Sequence, residues 1–61
     1  MAIKFFCGQK LIRRTRAGLE IGLVLENRAG RVIVDIEIDS RPYGRETFLK
    51  DYNPGWWSYD A

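Results

Sequence analysis

The chain has 61 residues, with ten Lys and Arg against eight Asp and Glu, one cysteine and no histidine. Residues 1–61 make a single domain, and a chain of this length buries only roughly 60% of the surface it exposes when unfolded. The lone Cys7 excludes an internal disulfide, a single thiol without histidine cannot build a tetrahedral metal site, and no apolar run approaches the ~20 residues of a membrane span.

A free thiol without an export signal fits a reducing, cytoplasmic setting, and the chain is read as a complete small protein that needs no cofactor. The charge is uneven. Residues 1–31 carry seven cations against two acids, net +5, and residues 32–61 carry three against six, net −3. The asymmetry is expected either to serve an anionic partner beside the basic half or to be neutralised across a sheet.

In chain order, Phe5, Phe6 and Cys7 precede Gly8, and Cys7 is expected to be a buried structural thiol because no histidine is present to activate it. Gln9–Arg14 reads as a first strand, followed by the turn Thr15–Gly18. No register of this hairpin is clean: an index sum of 33 pairs Ile12 with Ile21 and Arg13 with Glu20, but it also faces Leu11 with Gly22. The Leu11–Gly22 pairing suggests a bulge or wide loop here, and a bend at Gly22.

From Leu19 to Glu26 the odd positions Leu19, Ile21, Leu23 and Leu25 are apolar, and from Val32 to Asp39 the even positions Val32, Val34, Ile36 and Ile38 are. Both segments read as half-buried strands. An index sum of 57 pairs every apolar residue of one with an apolar residue of the other, sets Glu26 opposite Arg31, and leaves the turn to Asn27–Gly30. It also sets Glu20 against Glu37, a conflict that Arg13 can relieve. The tripeptide Arg-Ala-Gly therefore marks two turns, at Arg16–Gly18 and Arg28–Gly30.

Ser40–Gly44 is a third turn rich in breakers, and Arg45–Lys50 a fourth strand with Phe48 or Leu49 inward. Asp51–Gly55 cannot continue it, because Pro54 lacks a donor, so a single 3₁₀ turn is expected before a short closing strand in Trp56–Tyr59. Five short strands in an antiparallel meander, three tight turns and a 3₁₀ turn resemble an SH3-like small barrel. Within that group Leu11–Val34 loosely resembles a KOW or Tudor-like segment, through the apolar pair Leu11-Ile12, a basic turn, Gly22-Leu23-Val24 and a second turn before a β-branched strand. The glycine expected early in the first loop of that pattern is Thr15 here.

Three kinds of binding follow as expectations. The basic residues Lys10, Arg13, Arg14 and Arg16, with Arg28 in the other Arg-Ala-Gly turn, are candidates for nucleic-acid phosphates. Successive turns of a meander lie at opposite ends, so the two turns are not automatically one patch. The aromatic tail, Tyr52, Trp56, Trp57 and Tyr59, is a candidate for stacking on bases or holding a protein partner, as a phage or prophage adaptor or inhibitor would. Adjacent tryptophans on a strand point to opposite faces, so one is expected to plug the core and the other to be exposed. The third expectation is a structural homo-oligomer. The acidic row Asp35, Glu37 and Asp39 reads as a solvated face. No phosphate-binding loop, nucleophile motif or metal signature is present, so the chain is read as a non-enzymatic binding module without a membrane role.

Overall fold

The computed structural model describes residues 3–60. Five strands, β1 (Lys10–Thr15), β2 (Gly18–Arg28), β3 (Arg31–Ile38), β4 (Arg41–Leu49) and β5 (Trp57–Ser58), form one antiparallel sheet in the order β4-β3-β2-β1-β5. The meander is open, with β4 and β5 as its edges.

The first hairpin follows the index sum of 33 throughout, from Lys10 opposite Leu23 to Thr15 opposite Gly18. The expected bulge is absent from it, because a two-residue loop, Arg16-Ala17, closes the pair directly. Thr15 Oγ1 accepts the Ala17 N–H at 3.2 Å and donates to the Gly18 carbonyl at 3.2 Å. The second hairpin corrects the sequence reading. Its loop is Ala29-Gly30, not Asn27–Gly30, and it closes on Arg28 opposite Arg31. Both loop residues have positive φ, 53° and 77°, the signature of a turn whose twist matches that of the strands. The two Arg-Ala-Gly copies thus sit one residue out of phase: Gly18 begins a strand, whereas Gly30 lies inside a loop.

The shorter loop moves the β2–β3 register off the expected sum of 57. Val24 pairs with Val34 and Gly22 with Ile36, and a bulge at Leu25 shifts the remainder to Glu26 opposite Ile33. A one-residue slip exchanges the faces of a strand. Glu20, Gly22 and Val24 therefore point inward, while Leu19, Ile21 and Leu23 point outward. Glu20 meets Ile38 and not Glu37. The irregularity in β2 is the bulge at Leu25. Cys7 is exposed, not buried, and its thiol donates to the carbonyl of Leu25 at 3.2 Å.

Gly22 explains why the glycine side faces the core. A Cβ there would stand 2.6 Å from Val34 Cγ1 and 3.1 Å from the Trp56 ring. The indole occupies the space that a leucine at this position would fill. Trp56 packs with Phe5, Leu11, Val24, Val32, Val34, Ile36 and Phe48, and the Phe5 and Phe48 rings meet edge to face at 5.1 Å.

β4 begins at Arg41, earlier than expected, because the third turn is Asp39-Ser40, with φ of 52° and 65°. Pro42 is tolerated because β4 is an edge strand, and a bulge at Tyr43 follows it. Phe48 faces the core, and Leu49 faces out. Among the described residues no 3₁₀ turn precedes β5. The side chain of Asn53 sets the local geometry: its Oδ1 accepts the Trp56 N–H at 2.7 Å and its Nδ2 donates to the Trp56 carbonyl at 2.8 Å. Among the described residues no helix is long and apolar enough to cross a membrane.

Candidate binding face

The slip in β2 gives the sheet two apolar faces. One is the core. On the other, β5, β1 and β2 place Trp57, Ile12 and Ile21 in one cross-strand row. Leu19 and Leu23 stand on either side of Ile21 along β2, and Tyr59 follows Trp57. Trp57 is 64% exposed, Leu23 44%, Tyr59 43% and Leu19 41%. An apolar cluster of this kind on a small domain marks a contact surface more often than a scatter of single residues does.

Charges frame the cluster. On β1, Lys10 and Arg14 share the outward face with Ile12. The Lys10 ammonium lies 4.4 Å from the centre of the Tyr59 ring, a contact that holds the cation at the rim. On β3, Asp35 and Glu37 are exposed on the same face, with Asp35 opposite Arg45 of β4. Two shallow depressions lie here. One, of about 290 Å³, is lined by the side chains of Lys10, Ile21, Leu23, Asp35, Glu37 and Pro42 among others, with Gly22 and Ile36 at its floor. The other, of about 300 Å³, is lined by Ile12, Arg14, Leu19, Gly55 and Trp57 among others.

The stem of Arg13 also lines the second depression, beside Gly55, but its guanidinium turns to the inner side, where Trp56 lies. Arg13 points inward from β1, donating from Nε to Glu20 at 2.8 Å, from Nη1 to Glu46 at 3.0 Å and from Nη1 to the Pro54 carbonyl at 3.2 Å. Its guanidinium stacks on the Trp56 ring at 4.0 Å, and the Trp56 indole N–H donates to Glu46 at 2.9 Å. Burial by itself would lower the Arg13 pKa, but the hydrogen bonds and charges of Glu46 and Glu20 outweigh it and hold the guanidinium more firmly protonated than usual. Arg13 is thus the hub of a half-buried network that reaches from buried Glu20 to the more open Glu46, and the fully buried Trp56 is its wall.

The remaining sequence candidates divide by position. Arg16 is exposed in the first hairpin loop, at the Arg14 end of the face. Arg28 is exposed at the other end of β2, five residues past Leu23, or roughly 17 Å along the strand. Lys50 lies at that far end too, its N–H donating to the Gly30 carbonyl at 2.7 Å. Tyr52 is 75% exposed in the turn after β4. The structure therefore brings Lys10, Arg14, Trp57 and Tyr59 together and leaves Arg28 apart.

The outward aliphatic residues Leu19, Ile21 and Leu23 escape a reading by alternation, which assigns them to the core. The signal that finds them is Gly22. A glycine in the middle of a strand marks a close approach on its own face, which puts its odd-numbered neighbours outside. No protein-family model matches the sequence, and neither the curated proteins nor the solved structures give a match.

Proposed function

We propose that the protein is a non-enzymatic protein-interaction module whose working surface is the outer face of β5, β1 and β2. The observation that carries this reading is the pair of adjacent tryptophans: Trp56 is 1% exposed and completes the core, whereas Trp57 is 64% exposed beside Ile12 and Ile21. A large exposed aromatic at the end of an apolar row, rimmed by charges, has the composition of an interface hot spot. A photo-reactive residue in place of Leu19, used in the producing cell, tests it. The expected product is an adduct to polypeptide that disappears in Ile21→Lys. The absence of an adduct, or an adduct to nucleic acid alone, overturns the reading.

A second reading rests on Lys10 held over Tyr59 and Arg14 beside the Trp57 depression. Aromatic faces with cations alongside suit single-stranded nucleic acid, with bases on Trp57 and Tyr59 and phosphates on Lys10, Arg14 and Arg16. This reading requires binding to mixed RNA or DNA that falls steeply with salt and weakens in Lys10→Ala/Arg14→Ala. It ranks second because Asp35 and Glu37 stand on the same face and Arg13 is engaged by two carboxylates.

We also infer an SH3-like character for the sheet, loosely KOW- or Tudor-like over Leu11–Val34. The five antiparallel strands and short hairpins support it, as does the curl imposed by the Arg13–Glu46 contact.

A further inference from the structure

We propose that the polypeptide taken by the outer face is a second copy of this chain, stacked face to face about a twofold axis running along β2. This rests on the protein-interaction reading and gives it a partner.

The face is divided lengthwise. β2 runs along the middle with Leu19, Ile21 and Leu23; β1 on one flank carries Lys10 and Arg14; β3 on the other carries Asp35 and Glu37. An apolar centre with a basic flank and an acidic flank is complementary to itself when a half-turn exchanges the flanks. A half-turn about an axis parallel to β2 does so and keeps every residue at its height along the strands. A twofold axis running across the strands would instead lay β1 on β1, with Lys10 and Arg14 against like charges.

The register then states what meets. One row across the sheet reads Tyr59, Lys10, Leu23, Asp35, Arg45. After the half-turn Leu23 lies on Leu23 of the second copy, Lys10 faces Asp35, and Tyr59 faces Arg45. The next outward row reads Trp57, Ile12, Ile21, Glu37, Pro42. It sets Ile21 on Ile21 and the Trp57 ring on Pro42. Ile12 meets the stem of Glu37, whose carboxylate has Arg14 of the opposite chain in the neighbouring row. These are apolar contacts at the centre and opposite charges or cation–aromatic pairs at the flanks.

The dimensions agree. Aligned sheets stack about 10 Å apart with their strands roughly 30° from parallel, which accommodates one layer of interdigitated aliphatic side chains. The curl that brings Arg13 to Glu46 makes this face convex, so the closest approach is along β1, β2 and β3. Three strands about 4.8 Å apart and six residues long offer roughly 300 Å² in projection, and a pair buries on the order of 600 Å² in total, the size of a weak, concentration-dependent interface. A chain of 61 residues is short of buried surface, and a second layer supplies it.

Sedimentation velocity from low micromolar to millimolar protein tests the inference. The expected species has twice the 7.1 kDa chain mass at high concentration. Lys10→Asp and Asp35→Lys should each weaken association by at least about tenfold, and the double variant, which restores opposite charges across the axis, should regain most of the loss. Ile21→Lys should be a monomer with unchanged circular dichroism. A wild-type monomer at millimolar concentration, or a charge-swapped double variant no better than the single ones, overturns the second copy as occupant. If the Leu19 photo-adduct to another polypeptide persists in that case, the interaction reading stands and only this inference falls. If the wild type is monomeric and binds single-stranded nucleic acid in a salt-dependent way, without a polypeptide adduct, both fall.

Discussion

Arg13 on β1 reaches Glu46 on β4 at 3.0 Å although β2 and β3 lie between their strands in the sheet. Two residues with two strands between them can touch only if the sheet curls over its own inner face. The curl encloses Trp56, whose ring lies under the guanidinium and whose indole N–H shares the Glu46 carboxylate. Glu20 completes the arrangement, with a side chain only 8% exposed.

Replacing Arg13 by Met leaves Glu20 buried without its cation. Breaking a buried pair from one side costs about 3–5 kcal/mol, so the urea midpoint of Arg13→Met should fall far enough to unfold much of the protein at room temperature. Arg13→Met/Glu20→Met, which removes both charges, should recover part of the loss. An Arg13→Met midpoint equal to wild type would mean that the network carries no stability.

Gly22→Ala is expected to destabilise by about 1–3 kcal/mol, the usual cost of overpacking a tight core. The new methyl group would press on Val34 and on the Trp56 ring, so thermal melts should show a lower midpoint together with changed Trp fluorescence. A neutral outcome would mean that the indole can leave the strand without cost.

Ala29 occupies left-handed backbone at φ 53°. Asn-Gly is the favoured pair for such a loop, and left-handed backbone costs a residue with Cβ about 1–2 kcal/mol. Ala29→Asn should therefore raise the unfolding free energy by a large part of that amount, and chemical denaturation measures it. A loss of stability would be incompatible with the two-residue loop.

The tryptophans should separate cleanly. Trp56→Ala removes the centre of the core and should cost about 3–5 kcal/mol. Trp57→Ala touches solvent and should stay within roughly 0.5 kcal/mol of wild type in dilute protein. Equal losses in the two variants would place Trp57 in the core as well.

Much of the fold is legible in the sequence. The all-β meander, the pairing of Arg13 with Glu20 and the division of labour between adjacent tryptophans follow from local rules; the regularity of the first hairpin does not, because Leu11 opposite Gly22 makes its register look faulty. Nor does the second register. Alternating leucines outweigh a single glycine in any count of apolar pairs, yet the glycine carries the geometric constraint, because Trp56 arrives from 34 residues further along the chain to lie on it. A distant residue competing for the space over a strand leaves no trace in the strand's own pattern. The two Arg-Ala-Gly copies mislead for a related reason: a tripeptide does not state where its loop begins. The candidate site inherits both effects. Lys10, Arg14, Trp57 and Tyr59 can be read as functional from residue type alone. The aliphatic floor between them becomes visible only once the faces are assigned.

The edges of the sheet bear on how the protein behaves when crowded. Pro42 and the Tyr43 bulge interrupt β4, and Arg41 and Arg45 flank them. At the other side β5 offers only two residues. The β5 border is too short to template fibrils, and on β4 the Pro42–Tyr43 interruption breaks one end of the strand while Arg45, Glu46 and Lys50 put charges along or next to the rest. Growth by adding chains in the hydrogen-bonding direction is disfavoured at both borders. A concentrated solution of this β-rich chain should therefore resist amyloid conversion while its broad apolar side stays available for a finite, closed assembly.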